Sequence, residues 1–379
     1  MPEEILLRTV SPSSTHDPAH FAAELGAKLA TRSRHVCTLL GAGASRACGL
    51  PDVSMLEKAV GAELPKADGA RFAELLEGRN LEEVLSRLRR MTTLLERDQD
   101  IEGLSGEDAA KLDQAICAAV VNQLDLKSAT SGPMKSFAAW ASRADYHDPL
   151  EIFTVNYDLL IESALEEIGA LWFDGFIGSL LAPFRVDLVE GFGRETQVLP
   201  PSFVRLWKLH GSLNWTWRSD PASVVRLGVP AAEGAAAAIY PADTKYEESR
   251  RVPFVVLMDR FRRALYQPES LLLVTGYAFG DQHLDEMVFD AALRCPRSEF
   301  VVFCHSKIPA TLAAKAETTP ALSVLSSTEA ILGTVRGEWK EGLEPPVGVW
   351  EDGEFKLGDF AALSAFLARA SGQPDDDDE

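Results

Sequence analysis

Cysteine is scarce in this chain and scattered along it. The five residues, Cys37, Cys48, Cys117, Cys295 and Cys304, form no Cys-x-x-Cys pair. That spacing excludes a structural zinc ribbon, and no bound metal is expected. Cys37 and Cys304 sit in apolar runs and read as buried thiols, while Cys48 has nothing near it in sequence to activate it. Long apolar runs are also missing: none approaches the roughly 20 residues that a membrane helix needs. Positive charge is in deficit, with 37 Lys and Arg against 57 Asp and Glu and a net charge of −20. Such a balance opposes sequence-independent binding to nucleic acid, which depends on cations neutralising phosphates. The first residues, Met1-Pro-Glu-Glu-Ile5, carry neither a basic nor an apolar leader. The expected address is cytoplasmic, without membrane attachment.

What the chain does have is a set of short apolar runs that end in glycine or polar residues. His35-Val-Cys-Thr-Leu-Leu40 suits a buried parallel strand and runs into Gly41-Ala42-Gly43-Ala44-Ser45-Arg46, then Gly49-Leu-Pro51-Asp52. Strand, glycine turn and helix start together present backbone N–H groups to a phosphate. The spacing is Gly-x-Gly-x5-Gly, unlike the usual dinucleotide fingerprint, and no Lys-Ser/Thr follows as in a P-loop. Three further runs end in the same manner. Glu151–Val155 leads into Asn156-Tyr-Asp158, Val204–Leu209 into His210-Gly-Ser212, and Leu271–Thr275 into Gly276-Tyr277-Ala-Phe-Gly-Asp281 with His283 beyond. Glu299–Cys304 is a fifth core strand.

Between the first two strands the pattern turns helical. Leu81, Val84, Leu85, Leu88 and Leu95 form one apolar stripe, with Asn80 as a cap and Glu82 and Glu83 favourable to the helix dipole. The organisation read from this is an irregular arm over 1–20, an α/β domain over 21–60 and 150–370, an inserted helical module over 61–149, and a disordered acidic tail over 371–379. The fold class is α/β: a Rossmann-like doubly wound parallel sheet with an inserted helical module and no zinc ribbon. In such a sheet all carboxyl ends share one edge, where the ligand crevice forms, so the four polar tips converge.

These segments resemble the sirtuin-like (silent-information-regulator-like) fold, in its bacterial NAD-consuming branch, from about His35 to about Cys304. Gly41-Ala-Gly-Ala-Ser45 with Gly49-Leu-Pro-Asp52 is similar to the family's first NAD-binding loop. Thr154-Val-Asn-Tyr-Asp158 resembles the segment whose Asn lies beside the nicotinamide ribose. Lys208-Leu-His-Gly-Ser212 resembles the one carrying the catalytic His, and Thr275–Asp281 the loop holding the adenosine half. Deacetylases of this fold carry a zinc ribbon and Phe-Arg after the Pro-Asp, where this chain has Val53-Ser54. The resemblance therefore implies direct NAD cleavage rather than peptide deacetylation. It further implies antiphage defence by NAD depletion, in a homo-oligomer joined to a HerA-like ATPase or another sensor. A protein deacylase or ADP-ribosyltransferase, and a non-catalytic NAD or ADP-ribose sensor, are the rival readings.

The chemistry of two residues suits NAD as substrate. Asn156 offers a donor and an acceptor without becoming charged. His210 is the residue whose ordinary pKa fits proton abstraction near neutral pH; its plainer reading is a structural histidine at a strand end. Asp158 reads as either helix cap or ribose ligand. Asp281, with His283, reads as either an adenine-ribose contact or, for Asp281, a cap. Arg46 reads as either a diphosphate partner or a solvated cation. Ser45 reads as a cap or phosphate contact, and Trp215 and Trp217 as core rather than platform.

Overall fold

The apolar runs assemble into the centre of one ten-stranded sheet. The computed structural model describes residues 14–95, 99–191, 203–219, 222–228, 237–239, 252–340, 342 and 344–370. The first thirteen residues of the expected arm and the acidic tail 371–379 lie outside them. In chain order the strands are β1 (Ser14–His16), β2 (Val36–Leu40), β3 (Leu150–Thr154), β4 (Leu171–Phe173), β5 (Phe203–Lys208), β6 (Leu271–Thr275), β7 (Glu299–Phe303), β8 (Leu322–Leu325), β9 (Glu329–Leu332) and β10 (Val335–Trp339). Their spatial order is β1-β10-β9-β8-β7-β6-β2-β3-β5-β4. From β8 to β4 every pairing is parallel; β9 is antiparallel to both its neighbours. Every residue of β2, β3 and β6 is buried, which is why these strands read as unbroken apolar runs. The chain leaves β2 toward β3, β5 and β4, and later returns on the other side as β6, β7 and β8. The boundary of β2 and β6 is thus the topological switch point, where ligands of open α/β sheets bind.

Two apolar layers cover the faces. One holds Leu40, Ile152, Leu206 and Leu273 with the helices between β2 and β3. The other holds Leu39, Phe153, Trp207 and Val274 against Leu257 and Phe261. The strand β1, the cap Asp17 and the first three residues of the helix α1 (Pro18–Ala30) fall inside the segment expected to be irregular, and the rest of α1 covers the helical spacing of Phe21–Leu29. The strand's partner is β10, more than 300 residues away, so no local period announces it.

After β2 come α2 (Ala42–Ala47), α3 (Val53–Glu63), α4 (Lys66–Leu76), α5 (Leu81–Leu94), α6 (Gly106–Gln123) and α7 (Gly132–Arg143). The predicted stripe of α5 is buried at Leu81, Val84, Leu85 and Leu88, against α6. The other helices are α8 (Leu160–Glu167), α9 (Val186–Gly191), α10 (Phe254–Leu265), α11 (Gln282–Arg294), α12 (Ala310–Ala316) and α13 (Phe360–Ala370). The helix α7 packs on α8 and α13, so the helical segment is continuous with the α/β body. A second, antiparallel sheet of four strands includes Gly211–Ser219, directly after His210. Trp215 is core there, 4.8 Å from the ring of Phe176, whereas Trp217 is exposed.

At the amino end of β3 a carboxylate is fully buried. Glu151 accepts from Trp207 Nε1 (2.7 Å) and from Arg260 Nε (2.7 Å) and Nη2 (2.6 Å), and lies 2.9 Å from His35 Nε2. Burial alone would push its pKa up, but Arg260 and His35 hold it far below the usual carboxylate range.

Candidate dinucleotide site

Each signature segment begins where a parallel strand stops. Gly41 follows β2 and Gly276 follows β6; Asn156 and His210 each stand two residues beyond β3 and β5. Thr154 and Lys208 are in register, and the pairing continues past the strands through Leu209 N donating to Thr154 O at 2.9 Å. Neighbouring strands run about 4.8 Å apart, so the backbones bearing Asn156 and His210 are adjacent at one edge.

The two glycine loops interlock at the switch point. Gly41 N donates to Thr275 O (3.0 Å) and Gly43 N to Gly276 O (2.9 Å). Gly276 has φ +65°, and a Cβ on it would meet Ala44 N at 2.4 Å. Only glycine tolerates both conditions. Ala44 N donates to Gly41 O at 3.0 Å, so the loop already uses several of the N–H groups expected to face phosphate. Ala42 is half-buried in the first turn of α2.

Beside the loop, one chain of hydrogen bonds fixes Asn156. Its Nδ2 donates to Gly41 O (3.0 Å) and to Ser45 Oγ (2.9 Å), and Ser45 Oγ donates to Asp158 Oδ2 (2.6 Å). Asp158 Oδ1 accepts from Leu160 N at 3.0 Å, so this residue ties the start of α8 to Ser45 at once. With both amide hydrogens taken, the side-chain oxygen of Asn156 is the group left to meet a hydroxyl or water. Below this turn lies Lys208, fully buried, whose Nζ donates to the carbonyls of Tyr157 and Asp158 and to Glu162 Oε1 (2.8 Å). A cation in that place fastens the Asn156–Asp158 turn to β5.

His210 is buried between two carboxylates. Its Nε2 lies 3.1 Å from Asp281 Oδ2, and its Nδ1 lies 3.6 Å from Glu82 Oε1. Asp281 Oδ1 also accepts from His283 N (2.9 Å) and Leu284 N (3.3 Å), capping α11. Burial works against the imidazolium, but the two carboxylates override it and push the pKa up to about 9. His210 thus rests protonated at neutral pH.

On the β6–β7 side of the glycine loop lies a cavity of about 420 Å³, lined by Gly43, Arg46, Gly276, Tyr277, His305 and Lys307 among others. Arg46 is exposed and pairs with Asp52 Oδ2 at 2.9 Å. Asp52 in turn caps α3 through Met55 N (3.0 Å). Gly49, at φ +89°, and Pro51 make the turn between α2 and α3. Tyr277 is held by its hydroxyl donating to Asp285 Oδ1 at 2.7 Å; His283 is exposed. Cys48 is buried, and burial raises its thiol pKa, the opposite of an activated nucleophile. Among the described residues no group of three or more His, Cys, Asp or Glu is placed to hold a metal, and no helix is long and apolar enough to cross a membrane.

Sequence reasoning did not anticipate the partnership of His210 with Glu82 and Asp281, or the fastening role of Lys208. Lys208 carried a signal, being a lysine inside an apolar strand run; Glu82 carried none.

A mostly parallel sheet with glycine loops meeting at its switch point and polar tips gathered on either side defines a Rossmann-like α/β fold, whose ligand crevice lies at that edge. Residues 150–316 match the family model of the SIR2-like domain, a match that supports a sirtuin-like domain there. The match begins at β3, and β2 with the first glycine loop precedes it in the chain and pairs with β3 in the sheet. No curated protein matches the chain. SIR2-like domains bind NAD, and their presence points to an NAD-related function.

Proposed function

We propose that the protein is an NAD glycohydrolase, releasing nicotinamide and ADP-ribose. The observation that carries this reading is the pairing of Asn156 and His210 on adjacent strand ends, across the glycine loop from the cavity lined by Arg46 and Lys307. An NAD molecule laid over the loop has its adenosine half in that cavity and its nicotinamide ribose against Asn156. The bond from C1′ to the nicotinamide nitrogen breaks with its electron pair leaving on nicotinamide, and positive charge develops on the ribose. The carboxylates of Asp281 and Glu82, gathered around His210, favour that charge. Water then bonds to C1′, its proton passing to His210 once the imidazole is neutral. The side-chain oxygen of Asn156 orients the water or a ribose hydroxyl.

The test is incubation of the purified protein with NAD and identification of the products, with and without an acetylated peptide. Equal amounts of nicotinamide and ADP-ribose without peptide are the expected result. Turnover only with peptide identifies a deacylase, and binding without turnover a sensor. A role in antiphage defence, in a homo-oligomer with a HerA-like ATPase, is supported by the resemblance of the four segments.

A further inference from the structure

Glu82 stands in the first turn of α5, beside a capping box to which it does not belong. Asn80 Oδ1 accepts from Glu83 N at 2.9 Å and Glu83 Oε2 accepts from Asn80 N at 2.8 Å. Those two residues complete the helix start. The carboxylate of Glu82 instead reaches the crevice and faces Nδ1 of His210 at 3.6 Å, while Asp281 faces Nε2 at 3.1 Å. The two carboxylates come from opposite sources. Asp281 belongs to the loop after β6, and its other oxygen is pinned by two backbone N–H groups of α11. Glu82 belongs to the helices between β2 and β3, and its side chain is 23% exposed against 8% for His210. Both ring nitrogens can face carboxylates favourably only when both carry protons.

We propose that Glu82 is a positioning residue for His210, through which the helical module sets whether the imidazole rests as an acid or serves as a base. This rests on His210 accepting a proton in NAD cleavage. With Glu82 seated, both nitrogens are held protonated. With Glu82 drawn away, Asp281 retains the Nε2 proton and Nδ1 is left as a lone pair, the tautomer a general base requires. The charged groups facing the ring are Glu82 from α5 and Asp281 from the start of α11.

The proton on His210 is read directly by NMR titration of the full chain without NAD, in the unchanged protein, Glu82→Gln and Glu83→Gln. The midpoint for His210 is expected to fall by about one unit or more in Glu82→Gln. Glu83→Gln, which weakens the same helix start without facing the ring, is expected to leave it in place. Glu82→Asp, which keeps the charge on a shorter stem, is expected to fall between. In parallel, the rising limb of the pH profile of nicotinamide release moves to lower pH in Glu82→Gln, whereas damage to the fold lowers the rate at every pH. An unmoved midpoint in Glu82→Gln, or an equal fall in Glu83→Gln, overturns the proposal. If the midpoint falls while no nicotinamide is released at any pH, the coupling of Glu82 to His210 stands and the reading of the reaction fails.

Discussion

Gly41 and Gly276 meet backbone to backbone: a Cβ on Gly41 would lie 2.4 Å from the carbonyl oxygen of Gly276. The contact joins the loop after β2 to the loop after β6, beside the cavity lined by Gly43 and Arg46. Everything proposed for the crevice depends on this approach. Gly276→Ala adds a methyl group where φ is +65° and where Ala44 N would be 2.4 Å away. The variant is expected to lose about 1–3 kcal/mol of stability, read by urea unfolding, and to weaken NAD binding. A loss below about 0.5 kcal/mol with binding intact contradicts the close packing.

Glu151 supplies a prediction at the opposite end of the sheet. Glu151→Ala leaves Arg260 and the Trp207 N–H without their buried acceptor. Breaking a buried pair from one side costs about 3–5 kcal/mol. Denaturant unfolding of the variant checks this, and a cost under about 1 kcal/mol contradicts it.

How much of this was legible in the sequence depends on where each contact comes from. The central strands were readable because a strand buried on both faces must be apolar throughout, and Leu271–Thr275 was placed to the residue. The strands β8, β9 and β10 passed unassigned, being short and mixed in polarity toward the sheet edge. The convergence of the four tips was also readable, since parallel strands share one carboxyl edge. Glu82 was not. On a charged helix face, a glutamate turned toward a histidine 128 positions away looks the same as one turned toward water. Asp281 was read as a cap or a ribose contact; the structure shows the cap, with its second oxygen on His210.

His210 makes stability depend on pH in a direction that can be stated. Its folded pKa, about 9, lies above the ordinary 6.5. The stabilisation is therefore fully present below pH 6.5 and is lost as pH rises through about 9. Thermal unfolding of the unchanged protein should decline across that window relative to His210→Gln, by a few kcal/mol in all. Parallel curves for the two proteins contradict the clamping of the ring by Asp281 and Glu82.

The same proton governs turnover. If the neutral imidazole is the base, nicotinamide release rises about tenfold per pH unit below about 9. His210→Ala removes that dependence and lowers the rate at least about a hundredfold. A flat profile in the unchanged protein, or a full rate in the variant, removes His210 from the chemistry.

The central claim is that polar tips on separate strands surround one nicotinamide ribose, and Asn156 tests it most directly. Asn156→Ala forfeits the amide that bonds Gly41 O and Ser45 Oγ. With folding verified by circular dichroism, nicotinamide release from NAD is measured against the unchanged protein. A folded variant whose release falls at least about a hundredfold is the predicted result. Release at the unchanged rate would contradict the account.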